Sequence, residues 1–155
     1  MALTLKQLQQ KLDGLVDDVV NKELTDKVGR KVVKTVKART RDGLGVKNNG
    51  GKESKLKPIK KATKNIRKDL KKKGRLSGKT TPETSNLTRS GRMLDNIGYK
   101  ASKNEVVVAP KGKEQLKARK VSKDRPFMNL SKKEIKEVTK LVADEIIDGI
   151  KKKGL

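Results

Sequence analysis

The sequence contains no cysteine, no histidine and no tryptophan, and its only aromatic residues are Tyr99 and Phe127. Without Cys or His there is no disulfide framework, no thiolate or imidazole metal site, no cysteine nucleophile and no histidine-based triad. Readout of nucleic acid by stacked bases is nearly excluded as well, because it needs aromatic platforms. No stretch approaches the roughly 18 to 20 uncharged apolar residues that cross a bilayer, so no membrane partner is expected. The opening MALTLKQLQQ shows neither the basic nor the continuous apolar region of a secretory signal, which leads to the expectation of a protein made and kept in a cytoplasm.

What the chain has is positive charge. Its 155 residues include 42 Lys and Arg against 18 Asp and Glu, a net charge of +24, with a pI of about 10.3. Leu, Ile, Val and Phe make up roughly a quarter of the residues, above the level of about 20% under which a highly charged chain stays disordered. The length suits one small domain spanning residues 1–155, with a core so limited that partners are expected to complete it. Such a surplus calls for nucleic acid, an acidic protein surface or, less readily, anionic lipid.

Thr4 with Gln7 three positions on forms a capping-box pattern, so a helix is expected to start there. Leu5, Leu8, Leu12, Leu15, Val16 and Val19 recur at spacings of three and four, and Val28, Val32, Val33 and Val36 continue a helical period to about Arg39. The stripe loses phase between Asn21 and Thr25, which implies one long kinked helix or two in succession. Residues 41–57 (RDGLGVKNNGGKESKLK) have four Gly, two Asn and no sustained period, and read as a loop or arm.

Residues 47–79 hold 14 basic and two acidic residues, half the net charge of the chain. Within this tract Ile59, Ala62, Ile66 and Leu70 sit at helical offsets. Residues 59–73 therefore form an amphipathic helix if a surface receives that stripe, or stay a solvated basic tract because Lys repulsion weakens an isolated helix. In the first case Lys60, Lys61, Lys64, Lys68, Lys71 and Lys72 face outward. Together with Arg67 and Lys73 they are the candidate residues for contact with DNA or an acidic partner.

Thr80, Thr81 and Pro82 signal a turn before SNLTRSGRMLDNI, residues 85–97, where Leu87, Leu94 and Ile97 imply a short helix with one buried edge. Ile97, Tyr99 and Ala101 then alternate with polar or small residues, and EVVVA follows a short turn, so a β-hairpin ending before Pro110 is expected. Residues 111–124 are polar and read as a loop. Ser131 with Glu134 makes a second capping box, opening a long helix that carries Ile135, Val138, Leu141, Val142, Ile146, Ile147 and Ile150 and ends near Gly149 to Gly154. The expected class is α+β: a long N-terminal helix or two, a short helix with a β-hairpin or small antiparallel sheet, a long C-terminal helix, and a basic extended middle segment, residues 41–80.

For catalysis the inventory is thin. Asp17 with Asp18, or Asp144 with Asp148, are carboxylate pairs better read as wet helix faces, since neither sits beside a pocket signal. LSGKT at 76–80 has only the tail of a phosphate loop. No enzyme activity, cofactor or metal is expected. Phe127, in RPFMNLS ahead of the last helix, reads as a core or interface plug held by Pro126.

Three segments in order, RTRDGLGV (39–46), SNLTRSGRMLDNI (85–97) and RPFMNLS (125–131), resemble the neck and tail-completion proteins of tailed bacteriophages. That family has a Leu-Thr-x-Thr-Gly-x-Leu-x-x-Ser-Ile type segment before a hairpin, which Leu87, Thr88, Gly91, Leu94 and Ile97 match, with Ser90 and Asn96 where Thr and Ser are commoner. Arg125, Pro126 and Phe127 match its second signature. The resemblance implies a small α+β structural protein of the virion, without activity, assembled in the host cytoplasm. It implies a homo-oligomeric ring, a hexamer or dodecamer, between the portal and head-closure proteins and the tail terminator or tail-tube proteins. Genomic double-stranded DNA passes through such a ring. Open edges of the hairpin would be completed by a neighbouring subunit or docking partner. From charge alone, a second reading stands beside it: a nonspecific basic nucleic-acid-binding protein of nucleoid- or ribosome-associated type.

Overall fold

The structure, a computed structural model, describes residues 14, 18–76, 81, 83 and 92–152. The fold is α+β, with five helices and two separate two-stranded antiparallel sheets among the described residues. The expected helix opening at Thr4, and Leu87, Thr88 and Gly91 of the short-helix segment, lie outside them.

Helix α1 spans Lys22–Arg41. The break expected between Asn21 and Thr25 falls at its start: Asn21 is extended (φ −125°) and its side-chain oxygen accepts the Leu24 N–H at 3.0 Å, capping the new helix. Leu24, Val32 and Val36 turn one face inward. The helix stops at Asp42, whose N–H donates to Ala38, and Gly43 takes the left-handed φ of +79° that redirects the chain.

Strands β1 (Leu44–Val46) and β2 (Glu53–Lys55) then pair in the register Leu44 to Lys55. This hairpin replaces the loop expected over residues 41–57. Its strands are three residues long and β2 is wholly exposed, so no alternation betrays it. It is held by distant backbone instead: Val46 N–H donates to Pro126 O at 3.1 Å, Gly50 N–H to Leu130 O at 2.8 Å, and Lys132 N–H to Gly51 O at 3.2 Å. A Cβ on Gly45 would overlap the Pro126 carbonyl and the Leu56 side chain, so only glycine lets the two segments approach this closely.

Helix α2 spans Lys61–Lys72 and α3 spans Arg92–Asp95. Strands β3 (Ile97–Ala101) and β4 (Val106–Pro110) form the expected hairpin, with Pro110 paired to Ile97 at its far end. Residues 114–124, expected as loop, form helix α4 (Glu114–Asp124). Its apolar period is nearly absent, with Ala118 the one buried residue and Leu116 exposed, yet Glu, Gln, Leu, Lys, Ala and Arg are strong helix formers. Helix α5 spans Lys132–Lys152. Its capping box forms: Ser131 N–H donates to Glu134 Oε2 at 2.7 Å and Glu134 N–H to Ser131 Oγ at 3.2 Å.

The core gathers Val32 and Val36 of α1, Met93 and Leu94 of α3, Ile97, Ala118 of α4 and Phe127. Val28, Val108, Val121, Met128, Leu130 and Val138 close around it. α1 crosses the β3–β4 sheet so closely that a Cβ on Gly29 would overlap the Tyr99 ring.

Candidate basic contact surface

Helix α2 carries most of the candidate contact residues. Lys60 precedes it without a side-chain cap, and Lys71 and Lys72 match the negative pole at its last turn. It ends in a Schellman motif: Gly74 has φ +65°, Arg75 N–H donates to Leu70 O at 2.8 Å and Gly74 N–H to Lys71 O at 3.0 Å. At roughly 100° per residue, Lys60, Lys61, Lys64, Lys68, Lys71 and Lys72 fall within an arc of about 120°. All but half-buried Lys64 are exposed, as is Lys73 beyond the helix end. Lys68 pairs with Glu83 at 3.0 Å. That hydrogen bond, with the charges of Lys68 and Lys64, holds the Glu83 carboxyl below the usual carboxylate range.

The expected inward stripe is corrected in one respect. Ile66 is 45% exposed and Ala62 is exposed, whereas Arg67 is 3% exposed. The helix is rotated about its axis so that Thr63, Arg67 and Leu70 turn inward. Arg67 is therefore part of the packing and not of the contact surface. The aliphatic stem of an Arg next to the apolar stripe covers hydrophobic surface as a leucine does, which period counting does not register.

The residues of the RPF segment lie elsewhere, against the β1–β2 hairpin. Arg125 Nε donates to Lys57 O at 3.3 Å, the Pro126 carbonyl accepts from Val46, and Phe127 is fully buried in the core with Leu94 and Ile97. Arg39 ties this region together from α1. It pairs with Glu134 and donates to Phe127 O at 2.6 Å and to Asn129 O at 2.8 Å. Asn129 in turn donates to Lys47 O at 2.7 Å, and Ser131 Oγ to Glu53 at 3.0 Å. The segments 39–46 and 125–131, far apart in sequence, are thus one interlocked unit. Neither Gly45 nor Asn129 was assigned a role from sequence, although a glycine inside a short apolar run is a signal of close backbone approach; nothing in the sequence marks the burial of Arg39.

Chemistry is sparse. Asp144 and Asp148 line a shallow open depression with Lys31, Lys140 and Glu145, and among the described residues no group of three or more acidic side chains is placed to hold a metal ion. No helix among them is long and apolar enough to cross a membrane. Glu145 also accepts a hydrogen bond from Lys27 at 2.7 Å, which raises the Lys27 ammonium above its ordinary value.

Comparison of the chain with protein-family models, with curated proteins and with solved structures gives no match.

Proposed function

We propose that this chain is a structural subunit of the head-to-tail joint of a tailed bacteriophage, working by assembly and without turnover. One observation carries the assembly reading. Helix α5 is 21 residues long and has a full apolar stripe, yet its only buried residue is Glu134. Ile135 and Ile147 are 37% and 49% exposed, and Leu141, Val142, Ile146 and Ile150 are half-buried. A helix patterned for a core but given half of one gains by burying its face against a neighbour. The choice of this assembly rests on the resemblance, supported by the way its first and third segments interlock around Arg39. In that reading copies close into a ring between the portal and head-closure proteins and the tail, with the lysines of α2 facing DNA or an acidic neighbouring ring.

Negative-stain imaging of the protein alone and mixed with tails tests this. Rings, or decorated tail ends, are expected; monomers that leave tails bare contradict it. The alternative, a nonspecific nucleic-acid-binding protein, is favoured by the charge of +24. It requires tight DNA or RNA binding with a steep inverse salt dependence and no association with phage parts.

A further inference from the structure

The β3–β4 sheet has only two strands, and the phase of its ladder fixes what its edges offer. Ser102 N–H donates to Glu105 O at 2.9 Å at one end, and Lys111 N–H donates to Asn96 O at 3.0 Å at the other. Bonded and non-bonded pairs alternate in an antiparallel ladder. Gly98 with Ala109 and Lys100 with Val107 are therefore the bonded pairs, and the N–H and C=O groups of Tyr99 and Ala101 point away from β4. Neither outward amide has a partner among the described residues.

Beyond this edge lies a groove of about 590 Å³, walled by Lys22 and Asp26 of α1, by Gly98, Tyr99, Lys100 and Ala101, and by Lys111. Four consecutive residues of one strand line it. That is possible along an edge and not over a face, where alternate residues point away. A helix wall facing an open strand edge is the arrangement that takes extended peptides by strand addition. Opposite it, β4 has Pro110, which has no N–H to offer.

We infer that this groove receives an extended segment of another protein carrying carboxylate side chains, which joins the sheet as a third strand along β3. Three lysines against one aspartate line it, and Arg30 stands beside it, its Nε donating to the Tyr99 hydroxyl at 3.3 Å. A second copy is a poor occupant of this groove, because the strand edges it would offer are themselves basic: β4 is flanked by Lys103 and Lys111, and β2 ends on Lys55. The inference goes beyond the head-to-tail reading and stands without it.

The test is amide hydrogen exchange by NMR on the full chain, with capped peptides of alternating Glu and Val or alternating Lys and Val as probes. The acidic peptide is expected to slow exchange at Tyr99 and Ala101 about tenfold or more, with Gly98 and Lys100 little changed and the basic peptide without effect. Ala101→Pro removes an outward donor while leaving the ladder bonds and is expected to abolish the protection. Lys100→Glu with Lys111→Glu, which leaves the backbone intact, is expected to reverse the preference toward the basic peptide. Equal response to both peptides, response confined to α2, or protection that grows with protein concentration in the absence of peptide would each overturn the inference.

Discussion

Arg39 and Glu134 form a buried ion pair that fastens the end of α1 to the first turn of α5, with side chains only 4% and 7% exposed. Glu134 also serves the capping box of its own helix, and Arg39 holds the carbonyls of Phe127 and Asn129. Removing one partner leaves a buried charge uncompensated. Arg39→Met or Glu134→Gln is expected to cost about 3 to 5 kcal/mol. The double variant Arg39→Met, Glu134→Leu is expected to cost less than the sum of the single changes. A double-mutant cycle by chemical denaturation checks this, and additive costs would contradict it.

Gly29 offers a test in which the sign of the effect changes. In a helix interior Gly→Ala ordinarily stabilises by about 1 kcal/mol. Here the added methyl would overlap the Tyr99 ring, so Gly29→Ala is expected to lower the melting temperature. In a Tyr99→Ala background the same change is expected to raise it.

The elements that the sequence made legible are those whose information is local. The break between Asn21 and Thr25, the Ser131 and Glu134 box and the alternation of Ile97, Tyr99 and Ala101 all appear where their residues predict them. The β1–β2 hairpin did not announce itself because its bonds run to Pro126, Leu130 and Lys132, some 80 residues away along the chain. α4 was missed because helix propensity, and not an apolar stripe, marks it. Of the candidate contact residues, Lys60, Lys61, Lys68, Lys71 and Lys72 are exposed as the helical period predicts, and Lys64 is half-buried. Arg67 is buried instead, and period counting assigns a cationic side chain to the solvent side whatever its long stem can cover.

The lysine arc makes a quantitative prediction for salt dependence. Each phosphate contact contributes about 0.9 to the slope of log K against log salt on duplex DNA. Replacing Lys60, Lys61, Lys64, Lys68, Lys71 and Lys72 by Gln is expected to reduce that slope by up to about 5. Arg67→Gln is expected to lower thermal stability and leave the slope nearly unchanged. Filter binding across a salt series, beside thermal melts, separates the two.

Glu83 supplies a pH dependence. Its folded pKa is lowered, first by the hydrogen bond from Lys68, so its contribution to stability is present above the ordinary carboxylate value. It is lost as pH falls through the lowered one. Carboxyl titration by NMR is expected to move Glu83 back toward the ordinary range in Lys68→Gln, and an unchanged titration would contradict the pairing.

In the proposed ring the exposed apolar side chains of α5 are buried between neighbouring copies, and sedimentation velocity near physiological salt reads that burial out. A species many times the 17.2 kDa of one chain is expected, dissociated by Ile135→Glu with Ile147→Glu. A wild-type protein that sediments as a single chain at every concentration would contradict it.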